Sequence, residues 1–276
     1  MGPNADRPLP PHYAIAETLT TLRERGQDHP GLAPLLALYG EILAAQALAE
    51  GEGKGAPLPF PISDSRRMDE GVPWLRWEDL RLDSVRFAEA VVRMAEILRK
   101  YRDEWADAAV VAPPDDLLAL ARAAVEGRQS LLTDDASLTE AAVEMALEGE
   151  LRHMARTVVP HLPLDNWRRP ACPFCGSAPV LALLEPSVGG RYLFCQRCFT
   201  CWPYRRTGCT FCSNDENLVY YPTSHAAYRL YECPVCQNRL KTIDLRRLPG
   251  PVNPAVEHLL TVGLDLTAAG ATQDSR

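Results

Sequence analysis

All nine cysteines of the chain lie between Cys172 and Cys236. Eight form four Cys-x-x-Cys pairs: Cys172/Cys175, Cys195/Cys198, Cys209/Cys212 and Cys233/Cys236. The intervening stretches hold 19 residues (176–194), 10 (199–208) and 20 (213–232). The region therefore reads as one unit written twice: pair, long arm, pair. Two residues between cysteines let a tight turn aim both sulfurs at one point, while the turn's N–H groups offset thiolate charge. One such knuckle supplies half a tetrahedron, and an arm of about 15–20 residues is long enough to bring a second one back. Pro173 and Pro234 stiffen two of the turns, and Gly176 stands where a turn favours positive φ.

Disulfides are the bland alternative. They belong to small secreted chains, whereas this chain is long and has no cysteine in its first 171 residues. Thiol redox exchange is the stronger rival, but it needs one Cys-x-x-Cys, not four in matched spacing. The assignment is therefore two four-thiolate metal sites: Cys172, Cys175, Cys195 and Cys198, then Cys209, Cys212, Cys233 and Cys236. An interleaved arrangement, first pair with third, is disfavoured by the short central linker. Tetrahedral sulfur suits iron and zinc alike. A closed four-thiolate site leaves no position for a substrate, which argues against Lewis-acid catalysis. Cys201 reads as a bystander beside the first site, with a substitute ligand or a redox partner as alternatives.

No other catalytic set stands out. His12, His29, His153, His161, His225 and His258 are scattered without i,i+4 pairing, and no glycine loop could cradle phosphate. His225 reads as part of a solvated turn and Asp215-Glu216 as a polar one. The acidic residues concentrate in 1–165, which carry a net −11, while 166–276 carry +4. Two divalent four-thiolate sites would bring the second part to about zero, which weakens a nucleic-acid reading. No basic-then-apolar leader and no run approaching about 20 apolar residues are seen. The expectation is a cytoplasmic protein with reduced thiols and no membrane insertion.

The elements that must position these cysteines follow from periodicity. Helices are expected over 13–27, 32–48, 84–101, 114–127 and 138–158, the last with a capping box from Ser137 and Glu140. Residues 54–76, with Pro57, Pro59, Pro61 and Pro73, read as an irregular loop laid over helices. After a linker at 161–167, two hairpins are expected: 180–184 with 191–194, and 218–221 with 228–231. Residues 243–245 would add an outer strand. Pro254, Val256, Leu259, Leu260 and Leu264 suggest a final helix, followed by a loose tail. The fold class is α+β: an N-terminal helical bundle (1–165), two small tandem four-cysteine β ribbons (166–206 and 207–248), and a C-terminal helix and tail (249–276).

The run Trp167-x4-CPFCGSAPV, RYLFCQRC, Trp202, Arg206-x-x-Cys209-x-x-Cys212 and Arg229-x3-CPVC-x3-LK-x-x-D resembles the FdhE family of formate dehydrogenase accessory proteins. Leu264-Asp265-Leu266 also fits, and Cys201 departs from the pattern. The resemblance implies a helical part followed by two rubredoxin-like ribbons. It implies an assembly factor, not an enzyme, acting in the cytoplasm on the catalytic subunit of formate dehydrogenase. It implies iron at least as much as zinc. On this reading the client lies in a cleft between ribbons and bundle, with Arg191, Arg205 and Arg206 as contacts. A homodimer is compatible with it. The alternatives are a rubredoxin-like electron carrier and, less favoured, a nucleic-acid-binding zinc ribbon.

Overall fold

The computed structural model describes residues 9–52, 66–110, 112–128, 130–133, 135–215, 218–223 and 225–266. Five long helices make the bundle: α1 (Ile15–Gly26), α2 (Ala33–Glu52), α5 (Ser84–Arg99), α6 (Pro114–Glu126) and α7 (Leu138–Val158). Two short ones, α3 (Arg66–Asp69) and α4 (Trp77–Leu80), interrupt the stretch expected as a loop and its continuation. Most of that expected loop, including Pro57, Pro59 and Pro61, lies outside the described residues, as does the tail. The capping box forms as expected: the Glu140 N–H donates to Ser137 Oγ at 3.2 Å, and the Ser137 N–H donates to Glu140 Oε2 at 2.8 Å. Helix α7 is the axis of the bundle. Leu147, Leu151, Ala155 and Val158 are fully buried along it, against α2, α5 and α6.

Helix α2 corrects one sequence expectation. Residues Pro30–Leu48 are long and apolar enough to cross a membrane by length and composition. In this fold the segment packs on α1, α5 and α7, with Leu43 fully buried. Its Gln46 amide donates to the Met145 carbonyl of α7 at 2.7 Å.

The strands are β1 (Leu181–Leu184), β2 (Arg191–Phe194), β3 (Cys201–Tyr204), β4 (Val219–Pro222), β5 (Tyr228–Glu232) and β6 (Arg239–Asp244). They form one six-stranded sheet in the order β3-β2-β1-β6-β5-β4. The expected outer strand is in fact central: β6 runs parallel to β1, with Leu181 opposite Lys241 and Leu184 opposite Asp244. The two ribbons are thus fused through β1 and β6 and share one sheet. Strand β3 was not expected, because Pro203 lacks an N–H and the segment follows a knuckle directly.

Alternation along the strands divides the sheet between two cores. Ala182, Leu193, Trp202 and Leu240 face the core built on α5, α6 and α7. Leu181, Leu183, Phe194, Cys201 and Ile243 face a second core, with Tyr13, α1 and α8 (Pro254–Leu260). Phe174, Trp167 and Trp202 are at most 1% exposed. Each such aromatic contributes roughly 1.5–3 kcal/mol by leaving water. The β3 edge is covered by the N-terminal lead, where the Cys201 N–H donates to Pro11 O at 2.8 Å and His12 bridges Thr200. Among the described residues no strand pairs with the outer edge of β4, where Val219, Tyr220 and Tyr221 are 44–55% exposed.

Candidate metal centres

The four knuckles are copies of one turn. In each, the first cysteine's N–H donates to the carbonyl five residues on: Cys172 to Ser177 (2.8 Å), Cys195 to Thr200 (2.9 Å), Cys209 to Asn214 (2.6 Å) and Cys233 to Asn238 (3.0 Å). The residue after the second cysteine is left-handed in all four: Gly176, Phe199, Ser213 and Gln237, with φ between 58° and 81°. Only Gly176 adopts this freely; the other three cost about 1–2 kcal/mol each. The turn geometry, not local preference, sets the conformation.

The knuckles pair in sequence, first with second and third with fourth. The sulfurs of Cys172, Cys175, Cys195 and Cys198 all lie within 4.8 Å of one another, and so do those of Cys209, Cys212, Cys233 and Cys236. The interleaved alternative is not the one formed. Sγ–Sγ separations are 3.5 Å for Cys172–Cys198 and 3.6 Å for Cys175–Cys195, Cys209–Cys236 and Cys212–Cys233. Four sulfurs about 2.3 Å from a central ion would stand ~3.8 Å apart, so both clusters could hold a tetrahedral metal ion. The knuckle N–H groups also point as a thiolate requires: those of Phe211 and Cys212 reach Cys209 Sγ at 3.3 and 3.5 Å. Burial pushes the Cys172 and Cys198 thiols well above their ordinary range. Four thiolates packed here without a cation would therefore be a poor resting state.

The first cluster is sealed by the bundle. All four of its cysteines are at most 3% exposed. The two residues inside each of its knuckles are the docking groups. The carbonyls of Pro173 and Phe174 accept from the N–H groups of Trp74 and Leu75, both at 2.9 Å, and Phe174 stacks on Trp74. Arg197 forms an ion pair with Glu144 of α7 at 2.8 Å. The Gln196 amide donates to the Tyr39 hydroxyl. Its carbonyl accepts from Arg152, which also pairs with Glu148 at 2.6 Å and lies over the Phe199 ring. Burial raises the Glu148 carboxyl to about 7 against the pull of Arg152. Sequence reading gave Gln196 and Arg197 no role. The signal was there: two long polar residues inside a knuckle of an otherwise apolar unit.

The second cluster has the opposite exposure. Cys212 is exposed and Cys236 partly so, and Val235 inside the fourth knuckle is 68% exposed. Among the described residues no helix covers it.

The remaining expected site residues separate. Cys201 is buried and outside both clusters, with its thiol pushed up by burial, as expected of a bystander. Arg191 is a staple, not a surface contact: it is 8% exposed, donates to the carbonyls of Gly208 and Thr207, and lies over Tyr204. Arg205 pairs with Asp215 at 2.9 Å, and Arg206 is exposed. The junction expected to be a cleft between ribbons and bundle is packed where the first ribbon meets α7; a cleft lies instead between the two ribbons.

A helical bundle that clamps the first of two fused four-cysteine ribbons defines an α+β metal-ribbon protein with closed sites. Proteins with this arrangement are known: the "FdhE, central domain" family matches residues 171–206, which enclose the first cluster. An FdhE homologue of Pseudomonas aeruginosa is 27% identical over 95% of this chain and 89% of its own. An FdhE homologue of Aquifex aeolicus is 37% identical over 38% of each chain. The crystal structure of the FdhE protein from Pseudomonas aeruginosa has the same fold, with a TM-score of 0.62 at 23% identity over 98% of this chain and 95% of that one. The similarity to FdhE homologues read from residues 167–247 thus extends, at 27% identity, over 95% of this chain.

Proposed function

We propose that this chain is an assembly factor for a formate dehydrogenase, binding the enzyme's catalytic subunit in the cytoplasm and turning over no substrate itself. The observation that carries the reading is the coincidence of the FdhE central domain with the cluster that the bundle encloses. Cys172, Cys175, Cys195 and Cys198 would hold one iron or zinc ion, and Cys209, Cys212, Cys233 and Cys236 the other. Zinc would only brace the ribbons; iron would add a one-electron couple. The chain itself supplies closed, four-sulfur sites with no open position, which suits binding better than turnover. Units 1–165, 166–206, 207–248 and 249–276 then divide the work: bundle and first ribbon as a rigid body, second ribbon as the exposed arm, last helix as a brace.

The client surface we favour is the second ribbon, whose knuckle tip Val235 and edge residues Tyr220 and Tyr221 are exposed apolar groups of the kind that bind protein partners. Deleting the gene and restoring it with wild-type or Val235→Asp, Tyr220→Ser protein tests this through formate dehydrogenase activity in cells. Wild type should restore activity and the variant should not, although it folds. Full activity without the gene would refute the assembly role. An electron-carrier reading stays second, favoured by the exposed Cys212, and would show as a reversible visible spectrum.

A further inference from the structure

A cavity of about 360 Å³ lies between the two ribbons, on the sheet face where Leu240 borders the bundle core. Its floor is apolar, from Leu184, Leu218 and Leu240, and its walls carry Arg191, Arg206, Arg229 and Arg246. The strand register explains the grouping. Arg229 stands opposite Thr242 and Tyr231 opposite Leu240, so all four share one sheet face with Leu184, and Arg191 stands opposite Leu184.

The arginines exceed their local partners. Arg229, Arg246 and Arg247 all share Asp244, which Arg246 grips through two bonds of 2.7 and 2.8 Å. Asp215 and Glu232 are already paired with Arg205 and Arg239. Arg206 has no hydrogen-bond or ion-pair partner among the described residues. Arg191 spends two nitrogens on backbone carbonyls, while its Nε is buried without a partner. Four of these arginines and two carboxylates, Asp215 and Glu232, line the cavity itself; with their partners and Glu185 the network holds seven guanidinium groups and four carboxylates. Cys209 and Cys233 also line it, and a divalent ion in four thiolates would contribute −2. One positive charge is left over in that network, and Arg206 is its member without a partner among the described residues.

We propose that this cavity is a binding site for a small organic anion, its phosphate or carboxylate group held by the exposed Arg206, with the buried charge of Arg191 in the same wall, and its body resting on Leu184, Leu218 and Leu240. Guanidinium forks match the geometry of such oxyanions, and the volume falls within the range of small-molecule sites, well above that of a bare ion. The anion would bridge the ribbons, since Leu184, Arg191 and Arg206 belong to the first and Leu218 and Leu240 to the second. The inference stands on cavity geometry and charge and does not depend on the assembly-factor reading.

Calorimetric titration of the metal-loaded full chain with inorganic phosphate, pyrophosphate and glutarate, at low salt, tests the site. Saturable one-to-one binding of at least one probe is expected, and the tightest probe identifies the head group. Arg206→Gln should weaken it about tenfold or more, whereas Arg23→Gln, an exposed arginine of α1, should leave it unchanged. No saturable binding of any of the three probes, or equal affinity in Arg206→Gln and wild type, would overturn the proposal.

Discussion

Arg197, a residue inside the second Cys-x-x-Cys knuckle, forms an ion pair with Glu144 of α7 at 2.8 Å, with both side chains at most 6% exposed. A turn whose cysteines could hold a metal is thereby bolted to the axis of the bundle. Glu144 also accepts from the Leu131 N–H at 3.1 Å, and Arg197 reaches the Ala124 carbonyl at 3.3 Å, so the contact gathers α6, α7 and the first ribbon.

Removing one partner leaves a buried charge alone. Arg197→Met is expected to lower folding stability by about 3–5 kcal/mol. The double variant Arg197→Met, Glu144→Met should recover much of that loss. Urea unfolding of both, beside wild type, measures it. A single variant as stable as wild type would show that the pair is not holding the ribbon to the bundle.

The contrast in exposure predicts two metal-release rates. With a chelator in excess, the ion at Cys209, Cys212, Cys233 and Cys236 should leave first, and the enclosed ion only on unfolding. Cys212→Ser should remove the fast phase and leave the fold intact; Cys172→Ser should destabilise the whole protein. Release of both ions in one phase would contradict the assignment.

How much of this was legible in the sequence depends on the range of the interaction. Cysteine spacing announced the pairing of knuckles because ligands two residues apart are a local property. Ser137 and Glu140 announced the start of α7 for the same reason. Strand β6 could not be placed, because its centrality rests on pairing with β1 some 60 residues away, and Lys241 reads as a surface residue. It is 2% exposed and donates to Asp265 at 2.7 Å and to the His258 carbonyl at 3.0 Å. Left-handed Phe199, Ser213 and Gln237 were hidden because nothing in those residue types asks for positive φ.

Two half-buried histidines set an acid limit. Burial lowers His12 to about 4, with Arg156 and Arg152 nearby, and His258 to about 3, with Lys241 beside it. The folded state therefore binds fewer protons than the unfolded one below pH 6.5. The stability from each neutral imidazole is fully present above pH 6.5 and is lost as pH falls, towards 4 for His12 and towards 3 for His258, at up to about 1.4 kcal/mol per pH unit. His258→Gln should flatten this slope between pH 6.5 and 4.5 relative to wild type in the same buffers, a difference insensitive to metal loss common to both. An identical slope would mean that His258 titrates as if exposed.

The proposed role requires that a client be held. The most direct measurement is co-purification of an affinity-tagged chain with the formate dehydrogenase catalytic subunit from cells, quantified as moles of subunit per mole of chain. Wild type should retain the subunit in a fixed ratio, and Val235→Asp, Tyr220→Ser protein with its first cluster intact should lose it. A wild-type chain that folds, holds two ions and retains no catalytic subunit would contradict the central claim.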